Sequence, residues 1–363
     1  MTRSRLHPAA TALLLAAVPL MLGADHHDNG YLIPDVPTDL GGMTFLPWQV
    51  VRFNQGSYSQ AYSLIPGLAV DALHRKDSGD WLFSVETTAI LDGIVASPSD
   101  VMEHHVSSGG YAKRFDGAGN GVPPGVNVDA VFLDGGDGGD LVLSFDVPVA
   151  LGGATYEPSD LVRFNGSSFS LFFDASAAIP PMPPSANVTG ADRRGDITVL
   201  SFDAPVTLGS QTFLPGDLVS WNGSGFGLFQ RDPAWPPGSC LDAVALLARP
   251  GRIPPTLEVS NPTPPGGRLR LRLSWSASCS AGAEDYGLYE GTIGQWYSHT
   301  ALDCSDPEGD LTEDITPSAG DRYYLVVPFN GSDEGSYGLK PDLTERPRGL
   351  TTCVATQILG GCP

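Results

Sequence analysis

Residues 140–173, DLVLSFDVPVALGGATYEPSDLVRFNGSSFSLFF, and residues 196–229, DITVLSFDAPVTLGSQTFLPGDLVSWNGSGFGLF, match almost position for position. Self-similarity at a fixed period marks a repeat architecture. Residues 41–62, GGMTFLPWQVVRFNQGSYSQAY, form an earlier copy, and a more diverged one includes residues 80–85 and 98–102. The equivalent prolines Pro47, Pro98, Pro158 and Pro215 are 51, 60 and 57 residues apart. Tyr58, Tyr111, Phe169 and Phe226 keep the same beat.

Each unit carries four strand signals: a segment such as residues 70–73 or 128–131, an LSFD segment, a DLV segment and an aromatic alternating segment such as residues 169–173. Asn165-Gly166 and Asn222-Gly223 fall between the third and fourth, a two-residue hairpin signal. The first copy has no first strand, because residues 31–35 already align with the second; the missing strand follows the fourth copy at residues 240–246. Four strands per repeat predict an all-β four-bladed β-propeller over residues 25–248. Pairing of the last strand with the first blade closes it and leaves no open edge. An open solenoid of the same units is the alternative.

Asp71-Ala72, Asp129-Ala130 and Asp242-Ala243 each open the first strand of a unit. They resemble the Asp-Ala that opens hemopexin-like blades, a family of four-bladed propellers that often hold ions in the central channel. The resemblance implies a cation, calcium or sodium, near the axis at Asp71, Asp129 and Asp242. The chain departs from the family pattern at Thr189-Gly190 in the remaining unit, and it has no first-blade cysteine to bond Cys240.

Beyond the repeats, residues 249–265 are Pro-rich and read as a linker merging into an edge strand. Leu269, Leu271, Leu273 and Trp275 then alternate with Arg268, Arg270, Arg272 and Ser274, a half-buried strand with period two. Five or six strand signals over residues 266–345 predict a β-sandwich. The pattern resembles fibronectin type III, with Trp275 as the core tryptophan, Leu311 as the leucine before the tyrosine corner, and Tyr323 or Tyr324 as the corner tyrosine. Residues 285–299 and 323–338 also resemble a terminal module recurring in exported bacterial proteins. Residues 346–363 form a cysteine-containing tail.

The formal charge is −21, with only three lysines. A field of that sign repels phosphate backbones and anionic lipid, which excludes nucleic-acid partners and favours cations. Arg3 and Arg5, then an apolar stretch from residue 9 to 22 and Leu22-Gly23-Ala24, read as a signal peptide over residues 1–24. The stretch is too short to span a membrane, and no other run of apolar residues is long enough. All five cysteines lie in the last third, which suits an oxidising compartment. The expected pairs are Cys279 with Cys304 and Cys353 with Cys362, leaving Cys240 free; bonding of Cys240 to a tail cysteine is the alternative.

No nucleophile elbow, HExxH, P-loop or GxGxxG is present. Asp134, Asp137 and Asp140 place three carboxylates in a glycine-rich turn of the kind that suits calcium. Asp303, Asp306, Glu308 and Asp310 form a second acidic loop. In Met102-Glu103-His104-His105 each strand face offers two ligands at most, too few for a metal site unaided. Cleavage after Ala24 would start the mature chain Asp25-His26-His27, an amino-terminal Cu(II) or Ni(II) site with His27 as ring ligand. The resulting expectation is an exported, non-catalytic binding or adhesion protein for an unknown extracellular or surface ligand. The alternative is a secreted hydrolase or lyase acting through propeller loops.

Overall fold

The repeat spacing resolves into sheets. In the computed structural model, residues 29–359 are described apart from 55–56, 195–196, 232–234, 263–268, 281, 307–308 and 331–332. The signal peptide, His26, His27 and Cys362 therefore lie outside the described residues. The chain is all-β; the one helical element described is a single 3-10 turn at Ala118–Asn120. No helix among the described residues is long and apolar enough to cross a membrane.

Four antiparallel four-stranded sheets carry the repeats. Their strand orders are Leu241–Leu246, Asn29–Pro34, Gln49–Asn54, Ser57–Ser63; then Ala72–Arg75, Trp81–Ser84, Val101–His104, Tyr111–Phe115; then Val128–Asp134, Asp140–Phe145, Leu161–Phe164, Phe169–Phe173; and last Val188–Arg194, Ile197–Phe202, Leu218–Trp221, Phe226–Gln230. The strand displaced to the end of the repeats thus lies where its register predicts, with Gly30 opposite Leu246 and Leu32 opposite Val244. The first strands of the four sheets pack in succession: Ala72–Arg75 on Val128–Asp134, that strand on Val188–Arg194, and Leu241–Leu246 on both Val188–Arg194 and Ala72–Arg75.

Each apolar core sits between two neighbouring sheets. Leu82 and Phe115 of the second sheet share a cluster with Val131 and Phe145 of the third. Leu32 and Phe53 of the first share one with Val199 and Leu218 of the fourth. A serine repeated at one offset adds a polar latch between sheets. Ser84 Oγ donates to Val128 O at 2.6 Å and Ser144 Oγ to Val188 O at 2.8 Å. At the next junction Ser201 Oγ and Thr189 Oγ1 donate to Leu241 O at 3.4 and 2.6 Å. The corresponding residue of the first sheet is Ile33, so at this position the junction between first and second sheets is apolar, with Ile33, Val70 and Ala243 in one cluster.

Two local expectations need correction. Each unit has, besides its four strands, a two-stranded ribbon such as Val149–Leu151 with Ala154–Tyr156, in which Val149, Leu151 and Tyr156 are buried. Three-residue strands are too short to register as an alternating run. The Asn-Gly turns are four-residue loops, with Phe164 opposite Phe169. Only the glycine, Gly166 at φ 91°, has positive φ. The Asn165 Oδ1 accepts from the Ser167 and Ser168 amides at 3.1 and 2.9 Å, so the side chain reinforces the backbone bond from Asn165 N–H to Ser168 O at 3.3 Å.

The C-terminal residues form two sheets. One has the order Glu258–Ser260, Leu271–Ser274, Thr312–Ile315; the other Gln295–Asp303, Asp285–Thr292, Arg322–Phe329, Asp333–Glu334, Thr356–Gln357. Leu273, Trp275 and Ile315 from the first share a core with Leu288 and Val326 from the second. The tail is part of this structure, because Thr356–Gln357 pairs parallel with Asp333–Glu334. Glu334 is fully buried beneath it. It accepts from Tyr337 OH at 2.6 Å, the Cys353 amide at 2.8 Å and Arg348 Nη2 at 3.2 Å, and also from Tyr289 OH.

That docking overturns the expected disulfides. Cys304 bonds Cys353, 49 residues on, and not Cys279; Cys353 is therefore unavailable to Cys362. Gly287 leaves the room, since a Cβ there would lie 2.8 Å from Cys353 Sγ. Cys279 is also disulfide-bonded, and Cys240 is free. On chain-entropy grounds a loop of this length stabilises by about 4 kcal/mol. Cys304→Ser should lower the melting temperature of the C-terminal transition by roughly 15 °C, at about 4 °C per kcal/mol for a domain this size. Differential scanning calorimetry checks this; an unchanged transition would show that the tail docks without its staple.

The two parts of the chain touch. Arg52 forms a bidentate ion pair with Glu284, and Asn330 Nδ2 donates to Ala248 O at 2.9 Å.

Candidate functional site

The start of each first strand is where acids gather. Asp71, Asp129 and Asp242 occupy equivalent positions, and Thr189 fills the fourth. Asp71 and Asp129 are buried and Asp242 is half-buried. Asp35, Glu86, Asp146 and Asp203 end the neighbouring second strands. Two of them cap first-strand amides: Asp146 Oδ1 accepts from the Asn127 N–H at 2.8 Å, and Asp35 Oδ1 from the Cys240 N–H at 2.9 Å. Seven of these eight positions are acidic.

Clamps between sheets grade the three inner carboxylates. Asn127 Nδ2 donates to Asp71 Oδ2 at 2.5 Å, and Asn187 Nδ2 to Asp129 Oδ2 at 2.8 Å. The equivalent of these asparagines facing Asp242 is Ala69, which has no donor to give. Asp242 is left with the Cys240 thiol, Sγ to Oδ1 3.8 Å. Burial pushes the Asp71 carboxyl up to about 6, with Asn127 opposing. Burial takes Asp129 to about 7, again opposed by its asparagine. For Asp242, burial and then the charges of Asp71, Asp35 and Asp129 push it to about 8. Burial, and then the charges of Asp242, Asp35 and Asp203, hold the Cys240 thiol far above the usual thiol range, so it stays protonated. Asn127 Oδ1 and Asn187 Oδ1 are buried without a hydrogen-bond partner. Unpartnered buried carbonyl oxygens beside buried carboxyls form a hard, oxygen-only donor set of the kind calcium takes.

The opposite ends of these strands are covered. His74, Asp192, Leu246 and the tail residue Ile358 line a cavity of 180 Å³. Asp192 accepts from the Leu246 amide at 2.7 Å and lies 3.3 Å from His74 Nδ1.

The glycine-rich acidic turn does not gather as the sequence suggested. Asp134 is paired with Arg163 and with Arg193 at 3.0 Å, and Asp137 accepts from the Asp77 and Ser78 amides at 2.7 and 2.9 Å. Asp140 lies 3.9 Å from Arg163. Arginines from other strands neutralise the turn, and Asp137 latches it to the second sheet. In the second acidic loop Asp306 caps the Gly309 and Leu311 amides, both at 3.1 Å, and Glu308 lies outside the described residues.

Among the described residues, one group brings three potential metal ligands within 4.8 Å of one another: Asp80, Glu103 and His105. The turn at Asp80 supplies the third ligand that Met102-Glu103-His104-His105 lacked. Lys76 already pairs with Glu103, and Asp80 holds His105 Nδ1 at 3.1 Å and the Val106 amide at 3.0 Å. His104 Nε2 meets Tyr62 OH at 2.7 Å, and its ring stacks on Tyr111. The four described histidines are thus each engaged within the fold.

No family model matches the chain, and no curated protein matches it. Solved structures similar to it include the extracellular domain of the putative hybrid two component system BT4673 from B. thetaiotaomicron. That match has 9% identity and a TM-score of 0.25, covering 88% of this chain and 56% of that one. The chain thus spans little more than half the length of that structure. A streptogramin B lyase matches at 10% identity and TM-score 0.26, covering 82% of this chain and 90% of that one. PorZ, a bacterial surface component of the type-IX secretion system of Porphyromonas gingivalis, matches at 11% and 0.25, covering 81% and 49%. TM-scores this low assign neither a family nor an activity.

Proposed function

We propose that this chain is an exported, non-catalytic binding protein, built as a four-bladed propeller closed by Leu241–Leu246 and followed by a fibronectin type III-like sandwich. A calcium-type cation binds at the propeller's acidic mouth. The observation that carries the binding reading is the mouth itself: Asp71, Asp129 and Asp242 at repeat-equivalent positions beside the unpartnered oxygens of Asn127 and Asn187. Two buried carboxyls and a half-buried third, each of which resists ionising, gain most from a divalent charge. Their oxygens do not form one group within 4.8 Å, so the ion keeps part of its water shell or takes strand carbonyls.

Ring closure is supported by cores shared between first and fourth sheets as well as between successive ones. The sandwich reading is supported by strand order: first, second and fifth strands in one sheet, with fourth, third, sixth and seventh in the other, to which the tail adds an eighth. Export is supported by the pattern of residues 1–24 and by the Cys304–Cys353 bond. The non-catalytic reading is supported by the structural engagement of the described histidines.

The test is calorimetric titration of the purified chain with calcium at pH 7 in two buffers of different ionisation enthalpy. The expected result is binding that releases protons, because ionised carboxylates replace protonated ones, and a loss of at least about tenfold in affinity in Asp242→Asn. Absence of heat up to millimolar calcium, or full affinity in that variant, would sink the mouth as the site.

A further inference from the structure

A second site lies in the C-terminal sheets. Opposite the strand Asp285–Thr292, the strand Gln295–Asp303 pairs Thr300 with Glu290 and Gln295 with Thr292. Residues 296–299 therefore stand against Gly291 alone. A bulge of that size throws side chains out of the ladder. Trp296 is 63% exposed and Tyr297 40% exposed. Tyr297 also sits at φ 67°, a conformation that costs a bulky residue energy and recurs at ligand-binding sites.

The bulge is fixed from beneath. His299 is fully buried; its Nε2 lies 3.0 Å from Pro347 O, which can only accept, so its Nδ1 accepts from Tyr323 OH at 3.1 Å. Gly291 lets the Tyr323 ring lie across the strand, since a Cβ there would fall 2.2 Å from the ring. The Tyr323 and Trp296 rings meet at 5.6 Å between centroids. These groups line a cleft of 460 Å³ that Lys340 and Arg346 complete.

The two cations decide the ligand. In a chain of charge −21, Lys76 and Lys113 are each ion-paired, with Glu103 and Asp100. Lys340 instead lies over the Tyr297 ring, 6.0 Å from its centroid; among the described residues neither it nor Arg346 is within ion-pair distance of a carboxylate, although Lys340 feels the charge of Asp342 and Arg346 that of Glu345. Arg346 Nη1 is turned to Tyr337 O at 3.1 Å. Aromatic faces take the apolar C–H face of a sugar ring, and an ammonium and a guanidinium take a carboxylate. At 0.15 M salt the chain's overall negative field is screened beyond about 8 Å, so these local cations dominate in the cleft.

We propose that Trp296, Tyr297, Lys340 and Arg346 form a binding site for acidic, uronate-containing oligosaccharides. The site is separate from the acidic mouth and does not depend on it. The test is a titration of the whole chain with tetragalacturonate and tetramannuronate, and with neutral cellotetraose, in 0.15 M salt with EDTA present. Calorimetry and tryptophan fluorescence are the readouts, and EDTA removes any contribution of calcium at the mouth. Saturable binding of an acidic tetramer is expected, with a change in tryptophan emission. Trp296→Ala should abolish the emission change and weaken binding at least tenfold. Lys340→Ala should weaken acidic binding at least tenfold and leave cellotetraose unaffected. Both side chains are outside the core, so the melting temperature should hold in both variants. Failure of both acidic tetramers to bind, equal affinity for cellotetraose, or unchanged affinity in Lys340→Ala would overturn the proposal.

Discussion

Deletion of residues 239–248 is expected to abolish cooperative unfolding of the repeats and to send most of the protein into aggregates. The deletion removes Leu241, Ala243, Val244 and Leu246, all buried, from the clusters that join the first sheet to the second and fourth. At about 1.5–3 kcal/mol for each large apolar side chain withdrawn from water, the loss approaches the whole stability of an ordinary domain. It also strips Asn29–Pro34 of a partner along one edge, an open template for intermolecular pairing. Solubility by ultracentrifugation and a calorimetric scan read the result. A soluble, monomeric deletion with unchanged melting would mean that the sheets stand as an open array.

Raising the pH from 5 to 8 in EDTA should lower the melting temperature of the repeats by roughly 15 °C, from a loss on the order of 7 kcal/mol at about 2 °C per kcal/mol for a domain of this size. The sign follows from proton counts. Asp71, Asp129 and Asp242 titrate at about 6, about 7 and about 8 in the folded chain, against 3.8 for an ordinary aspartate. Between pH 4 and 8 the native state holds protons that the unfolded chain has released, so stability falls as pH rises through that window. The three groups act on one another, and the titration belongs to the set. Asp242→Asn should raise the pH 8 value and flatten the slope. Millimolar calcium should do the same for the parent chain while changing little at pH 5. A melting temperature that climbs from pH 5 to 8 would contradict the burial and crowding ascribed to these carboxyls.

The repeats made the scaffold legible because strands and prolines recur in phase. The displaced strand at residues 240–246 could be assigned from the absence of its equivalent before Tyr31, and it does pair with Asn29–Pro34. The same phase carried more than was extracted from it. Ser84, Ser144 and Ser201 share one offset, as do Asn127 and Asn187, and those are the latches and clamps between sheets. Asp35, Glu86, Asp146 and Asp203 likewise recur beside the Asp-Ala positions. What the sequence hid was partnership across long separations. Arg193 reaches Asp134 from 59 residues away, and Cys353 reaches Cys304 because a parallel strand pair folds the tail back. The Trp296–His299 bulge was hidden for a related reason: it depends on Gly291 of the neighbouring strand and on the buried His299, and neither is marked by the alternation of residues 295–299 themselves.

The closed ring and its ion are tested most directly by crystals grown with calcium near neutral pH. The expected result is an ordered ring of four sheets, with Leu241–Leu246 hydrogen-bonded to Asn29–Pro34, and an ion at the mouth among Asp71, Asp129 and Asp242. A mouth holding only water at millimolar calcium, or a strand 241–246 paired elsewhere, would contradict it.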